Sequence, residues 1–167
     1  DANFGNPFLL LSNVDAYEPV EADMFDRVFL AVDSGGNRTI HAYNVLTGVL
    51  SNSVYSSPIE PFVRWSYASD TSQVFISNGR KIFSLPLTAG ALASMLVDEG
   101  SNRIEEILLT NTKVAYVLTE GVNQKFKTVA KSDRVAFTYF TMPTDSGTLN
   151  QRRMELYAAG GDWVYYN

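Results

Sequence analysis

The sequence has no cysteine and a single histidine, His41. The first absence excludes disulfides, thiolate metal centres and a cysteine nucleophile. Together they leave carboxylates and carbonyls as metal ligands, a set that suits calcium or magnesium rather than zinc or copper. No run approaches the roughly 18 apolar residues of a membrane helix. There is no Gly-x-Ser-x-Gly elbow, Walker loop or Gly-x-Gly-x-x-Gly sequence, so neither an elbow serine nor a phosphate loop is indicated. No stretch keeps a helical period over three turns; Ala89 to Val97 comes nearest and is interrupted by Gly90 and Ser94. Basic residues are the minority, 13 Lys and Arg against 18 Asp and Glu, for a net charge of −5. That balance argues against nucleic acid or an anionic membrane as the main partner. The one local basic group, Lys125, Lys127 and Lys131, reads as a solvated strand edge. The chain opens on Asp1-Ala2-Asn3-Phe4 with no initiator Met, which predicts a processed form or a piece of something longer.

What is present is globular and β-rich. Hydrophobic residues make up 46% of the 167, and aromatics, mostly Tyr and Phe, 13%. This is enough for one domain with a sizeable core and half-buried sheet faces. A strand phrase recurs: an apolar run, a polar turn, then Val with an aromatic. It appears as Val63 to Tyr67, Asp70-Thr71-Ser72 and Val74-Phe75-Ile76. It returns as Ile104 to Leu109, Thr110-Asn111-Thr112 and Val114 to Leu118. It returns again as Met154 to Ala158, Gly160-Gly161-Asp162 and Val164-Tyr165-Tyr166. A looser copy opens the chain, with Phe8 to Leu11 and Val28-Phe29-Leu30. The second halves repeat too, with an offset of 42 residues at both Ile40/Ile82 and Gly48/Gly90, and of 44 from Lys81 to Lys125.

A period of 40 to 50 residues in all-β sequence predicts propeller blades. The fold class expected is all-β, with four-stranded antiparallel blades in a partial propeller; an open β-sandwich is the alternative. Unit one is Phe8–Leu11, Arg27–Val32, Arg38–Val45 and Val49–Tyr55, with an acidic insertion at 14–25 that covers an edge or binds a partner. Unit two is Phe62–Ala68, Gln73–Ser77, Lys81–Leu87 and Leu92–Val97. Unit three is Arg103–Leu109, Lys113–Thr119, Gln124–Ala130 and Arg134–Thr141. A half unit runs from Arg153 to Asn167. Three and a half blades leave open edges. They predict completion by the rest of a longer chain, or by a second copy in a homodimer.

Lys81-Ile82-Phe83-Ser84-Leu85-Pro86-Leu87-Thr88-Ala89-Gly90 resembles a hairpin common in bacterial β-propellers of the TolB-like kind and of the low-density-lipoprotein-receptor (Tyr-Trp-Thr-Asp) kind. Val164-Tyr165-Tyr166 is similar to their second strand. The diagnostic Tyr-Trp-Thr-Asp tetrad and any Trp-Asp pair are absent. The resemblance implies the fold and carries no catalytic residue across.

Candidate chemistry is sparse. His41 occupies the slot that Phe83 fills in the next unit, which predicts a half-buried packing residue rather than a triad member. Asp33-Ser34-Gly35-Gly36-Asn37 has turn composition and lacks the alternating acids of a calcium loop. Glu105 and Glu106 are strand neighbours and so point to opposite faces. Other carboxylate groups, Asp98 with Glu99 and Glu18 with Glu21 and Asp23, lack a spacing that defines acid–base work. No catalytic residue, metal site or cofactor is assigned. Propeller topology places ligands where inter-blade loops meet the innermost strands, here Ser56–Pro61, Asp98–Arg103 and Met142–Gln151. That singles out Glu60, Arg64, Trp65, Arg103 and Glu105 as candidate ligand contacts. The function expected is a non-enzymatic binding or scaffold module for a protein, peptide or glycan, in an extracytoplasmic setting. The alternatives are a piece of a propeller-containing hydrolase or lyase whose chemistry lies elsewhere, and a self-assembling half-propeller.

Overall fold

The computed structural model describes residues 16–22, 27–44, 46–47, 49–50, 55–58, 65–70, 72–86, 92–143, 156–160 and 163–166. Every regular element among them is a strand, and every sheet is antiparallel. The chain divides into two compact units, Asp1–Ile59 and Glu60–Asn167.

The first unit holds β1 (Ala16–Ala22), β2 (Arg27–Ser34), β3 (Asn37–Asn44), β4 (Val49–Leu50) and β5 (Tyr55–Pro58). They run β1-β2-β3, with β4 and β5 both on the far edge of β3. β2 passes to β3 through Gly35-Gly36, with φ of 57° and 79°. Two successive positive φ angles match the right-handed twist of the strands they join, and glycine reaches them without steric cost. The turn read at Asp33 to Asn37 is therefore present, and Arg38 closes it on Asp33 with bonds of 2.7 and 2.9 Å.

Two expectations for this unit change. The segment 14–25, read as an insertion, contains β1, which pairs along β2 from Ala16↔Asp33 to Ala22↔Val28. Among the described residues β1 pairs along one edge, with β2, and the ladder shifts between Pro19 and Glu21, where a proline is tolerated. The expected first strand, Phe8–Leu11, lies outside the described residues. The single outer strand expected at Val49–Tyr55 is two short ones, β4 and β5.

The second unit contains β6 (Ser66–Ser69), β7 (Gln73–Ser77), β8 (Lys81–Pro86) and β9 (Ser94–Asp98), paired in chain order. A second meander follows: β10 (Arg103–Leu109), β11 (Lys113–Glu120), β12 (Asn123–Ala130) and β13 (Ala136–Pro143). A hairpin, β14 (Leu156–Gly160) and β15 (Trp163–Tyr166), comes last. The turns are set by short polar side chains. Asp70 accepts the N–H groups of Ser72 and Gln73, and Asn78 those of Arg80 and Lys81. Such Asx turns give the backbone bonds it would otherwise lose where a strand stops.

The two meanders stack face to face. Ala68, Phe75, Ile82, Leu96 and Val97 meet Ile104, Ile107, Val114, Tyr116, Leu118 and Val129 in one core. The other face of β11 presents Ala115 and Val117, which pack with Phe126 against Leu156 and Val164 of the hairpin. β11 is thus covered on both faces, which explains why its sequence is a continuous apolar run rather than an alternation. Each fully buried Val or Leu there contributes about 1.5–3 kcal/mol relative to exposure. First strands lie beside first strands: β10 contacts β6 and also β14, and the Leu156 N–H donates to the Glu106 carboxylate at 3.1 Å.

Candidate functional site

One end of the second unit gathers the polar side chains. Ser66, which opens β6, pairs with Ser77 at the end of β7. Two residues on, the Gly79 carbonyl accepts the Ile104 N–H at 2.7 Å, and the Arg80 carbonyl accepts the Glu99 N–H at 3.0 Å. Gly79 has φ +87° and is buried; a residue with a Cβ would be strained where this backbone makes its close approach. These bonds bring the starts of β6 and β10 and the linker Glu99–Asn102 to the same end.

Of the five candidate ligand contacts, the structure brings Arg103 and Glu105 together and places Trp65 just before β6. Glu60 and Arg64 lie outside the described residues. The Arg103 Nε and Nη2 both reach Glu105 Oε1 at 2.7 Å, and the Thr119 hydroxyl donates to the same oxygen at 2.7 Å. Glu105 is buried, whereas the Arg103 side chain is 52% exposed. Glu105 therefore fastens β10 to β11, and Arg103 is the group that faces solvent. Trp65 is buried, its ring tilted against Tyr67 at 6.3 Å. It packs in the fold and leaves little ring surface for stacking on a ligand.

The register explains the position of Glu105. The pairing of β10 with β11 jumps from Ile104↔Leu118 to Glu106↔Val117, so Glu105 is the extra residue of a β-bulge. A bulge interrupts the alternation of faces. Ile104 and Ile107, three apart, both enter the core between the meanders, and Glu106 turns to the hairpin.

A second network lies behind this one, and sequence reading missed it. The Lys127 Nζ meets Glu99 Oε1 at 2.5 Å, and the Tyr116 hydroxyl donates to the same oxygen at 2.6 Å. Burial and the Glu99 carboxylate push the Tyr116 phenol far above its usual range. Lys125 pairs with Glu120, which its hydrogen bond holds below the usual carboxylate range. Lys131 reaches Asp70 Oδ2 at 2.9 Å and lies over the Phe75 ring. The three lysines read as a solvated edge are thus ion-paired, and Lys127 and Lys131 reach into the space between the stacked sheets. Their acids lie as far as 61 positions away in the chain, too distant for any local pattern to announce.

Chemically, carboxylates described at this end are neutralised. Glu99, Glu105 and Glu120 each hold a cation in an ion pair. No group of three metal-ligating side chains occurs among the described residues. His41, in β3, pairs with Leu30 and is half-buried, in keeping with a packing role. No family model matches the chain, nor does any curated protein or solved structure.

Proposed function

We propose that the chain is a run of β-propeller repeats acting as a non-enzymatic binding or scaffold module for a protein, peptide or glycan. Its ligand face is the end where β6 and β10 begin. The observation that carries the reading is the stacking of successive meanders with their first strands adjacent, β6 beside β10 and β10 beside β14. Blades around a channel are arranged in this way. Among the described residues at that end, Glu99, Glu105 and Glu120 are held in ion pairs, which favours recognition over acid–base chemistry. Arg103, half of whose side chain is free, is the anchor for an acidic or hydroxyl-rich ligand.

Peptide and glycan arrays probed with the purified chain test this. Retention of one ligand class, weakened about tenfold or more by Arg103→Ala, supports the reading; a loss of that size corresponds to one charge-assisted contact. Retention that Arg103→Ala leaves unchanged removes this end as the ligand face. Turnover of a captured glycan or peptide overturns the non-enzymatic assignment.

A further inference from the structure

The turn between β7 and β8 carries the one Asn-Gly pair of the sequence, Asn78-Gly79. Asparagine loses its side-chain amide most readily before glycine, because glycine has no Cβ to shield the attacking backbone nitrogen. The reaction starts when the Gly79 nitrogen gives up its proton to base and attacks the Asn78 Cγ. The Cγ–Nδ2 bond breaks, the amide leaves as ammonia, and a succinimide ring remains. Water then opens the ring at either carbonyl. One product is aspartate. The other is isoaspartate, whose main chain runs through Cβ and is longer by a methylene group.

Both reacting groups are engaged in the folded turn. The Gly79 N–H donates to Ser77 Oγ at 3.1 Å, a buried contact. Asn78 Oδ1 accepts the N–H groups of Arg80 and Lys81 at 3.2 and 3.0 Å. The Asn78 N–H itself donates to the Lys81 carbonyl at 3.2 Å. Ring closure turns the peptide unit between Asn78 and Gly79 and carries Gly79 with it. The Gly79 carbonyl is the acceptor for the Ile104 N–H at 2.7 Å, and the Arg80 carbonyl beside it accepts the Glu99 N–H at 3.0 Å. These two bonds join the turn of one meander to the linker and first strand of the next. The reactive geometry and the closed junction therefore exclude one another.

We propose that Asn78-Gly79 is a deamidation site controlled by the docking of the two meanders: it reacts while their junction is open, and its isoaspartate product prevents the junction from closing again. Deamidation is slow beside local opening and closing of a fold, so its rate is the rate of the free peptide multiplied by the open fraction. In the isoaspartate product the added methylene moves the Gly79 and Arg80 carbonyls away from the N–H groups of Ile104 and Glu99. The new carboxylate also arises beside a linker whose own acids, Asp98 and Glu99, are already paired with Lys81 and Lys127. The aspartate product keeps the backbone length and an oxygen for the Arg80 and Lys81 N–H groups, so it closes as asparagine does. The inference stands on the junction itself and does not depend on which ligand the end takes.

The test incubates the purified chain in mildly alkaline buffer and follows Asn78 by peptide mass mapping, with enzymatic methylation to count isoaspartate. A synthetic Phe75–Phe83 peptide gives the unprotected rate. The native chain is expected to react at least about tenfold more slowly than the peptide, and by the same factor, within about threefold, as the Ile104 amide is protected from hydrogen exchange. Equal rates in chain and peptide overturn the proposal. So does a suppression that departs further from the Ile104 protection, since something other than the junction would then control the site. A second arm compares products. The isoaspartate chain, separated by chromatography, loses exchange protection at Ile104 and Glu99 by about tenfold or more, whereas Asn78→Asp keeps it. Retained protection in the isoaspartate chain overturns the proposal, as does an equal loss in Asn78→Asp, which would make the charge and not the chain length responsible.

Discussion

Replacing Lys127 by Met tests the physics of the interface between the meanders. The Glu99 carboxylate is 10% exposed and the Lys127 ammonium 15%, so neither is fully hydrated. Removing one partner of a buried pair costs about 3–5 kcal/mol, and of a surface pair about 0–1. The slight exposure places Lys127→Met between the two ranges, nearer the buried one, at about 2–3 kcal/mol. The charge left on Glu99 retains one bond, from the Tyr116 hydroxyl at 2.6 Å. With a urea dependence of about 2 kcal/mol per molar, the unfolding midpoint falls by about 1 M. Intrinsic fluorescence of Trp65, buried in the same unit, reports it. The triple replacement Lys127→Met, Glu99→Leu, Tyr116→Phe then recovers most of the loss, because it removes every group that needs a partner. A single-variant loss below about 0.5 kcal/mol, the size of an ordinary surface substitution, refutes the reasoning. So does a triple variant as unstable as the sum of the three single variants, which would mean that the cluster does not act as a unit.

Two further outcomes follow from the first unit. The hydrogen bonds from Arg38 hold the Asp33 carboxyl below its ordinary range. A depressed pKa gives stability that is present above the unfolded value, near pH 4, and is lost as pH falls through the folded value. Asp33→Asn should therefore cost about 0.5–1 kcal/mol at pH 7, and variant and parent should converge in acid denaturation profiles by about pH 2. A gap that persists at that pH would refute the assignment. At the β2–β3 turn a Cβ on Gly36 meets nothing within 4 Å, so only the backbone angle opposes substitution. Gly36→Val should cost about 1–2 kcal/mol by amide exchange across the two strands, and Gly36→Asn distinctly less, since Asn tolerates positive φ. Equal costs would show that the angle is not the constraint.

The strands that sequence reading placed best are those bounded by turn chemistry. Gln73–Ser77 and Arg103–Leu109 agree with β7 and β10 at both ends. Asp70 before the first of these and Thr110 after the second are short polar side chains that bond the local backbone, so the signal and its cause lie within four residues of each other. β1 was hidden for the opposite reason. Its acids and its proline are depleted in strands, and in a one-dimensional pattern they are indistinguishable from a loop.

Bulges account for the main difference in the site. Simple alternation would put Ile104, Glu106 and Leu108 on one face and Glu105 and Ile107 on the other. The shift after Ile104 returns Ile107 to the face of Ile104 and frees Glu105 to take both Arg103 and Thr119. The shifts at Leu96 and Tyr139 use residues of ordinary strand type, one aliphatic and one aromatic. No glycine or proline marks them, and they are set by the partner strand's register rather than by the bulged residue. The same dependence on distant partners hid Lys127. Its value as a structural charge exists only because β12 brings it to Glu99, and β12 is held there by Val129, in the core between the meanders, and Phe126, in the core toward the hairpin. In this chain the hydrophobic pattern fixes which strands pair, and the polar chemistry at the end where β6 and β10 begin follows from that pairing.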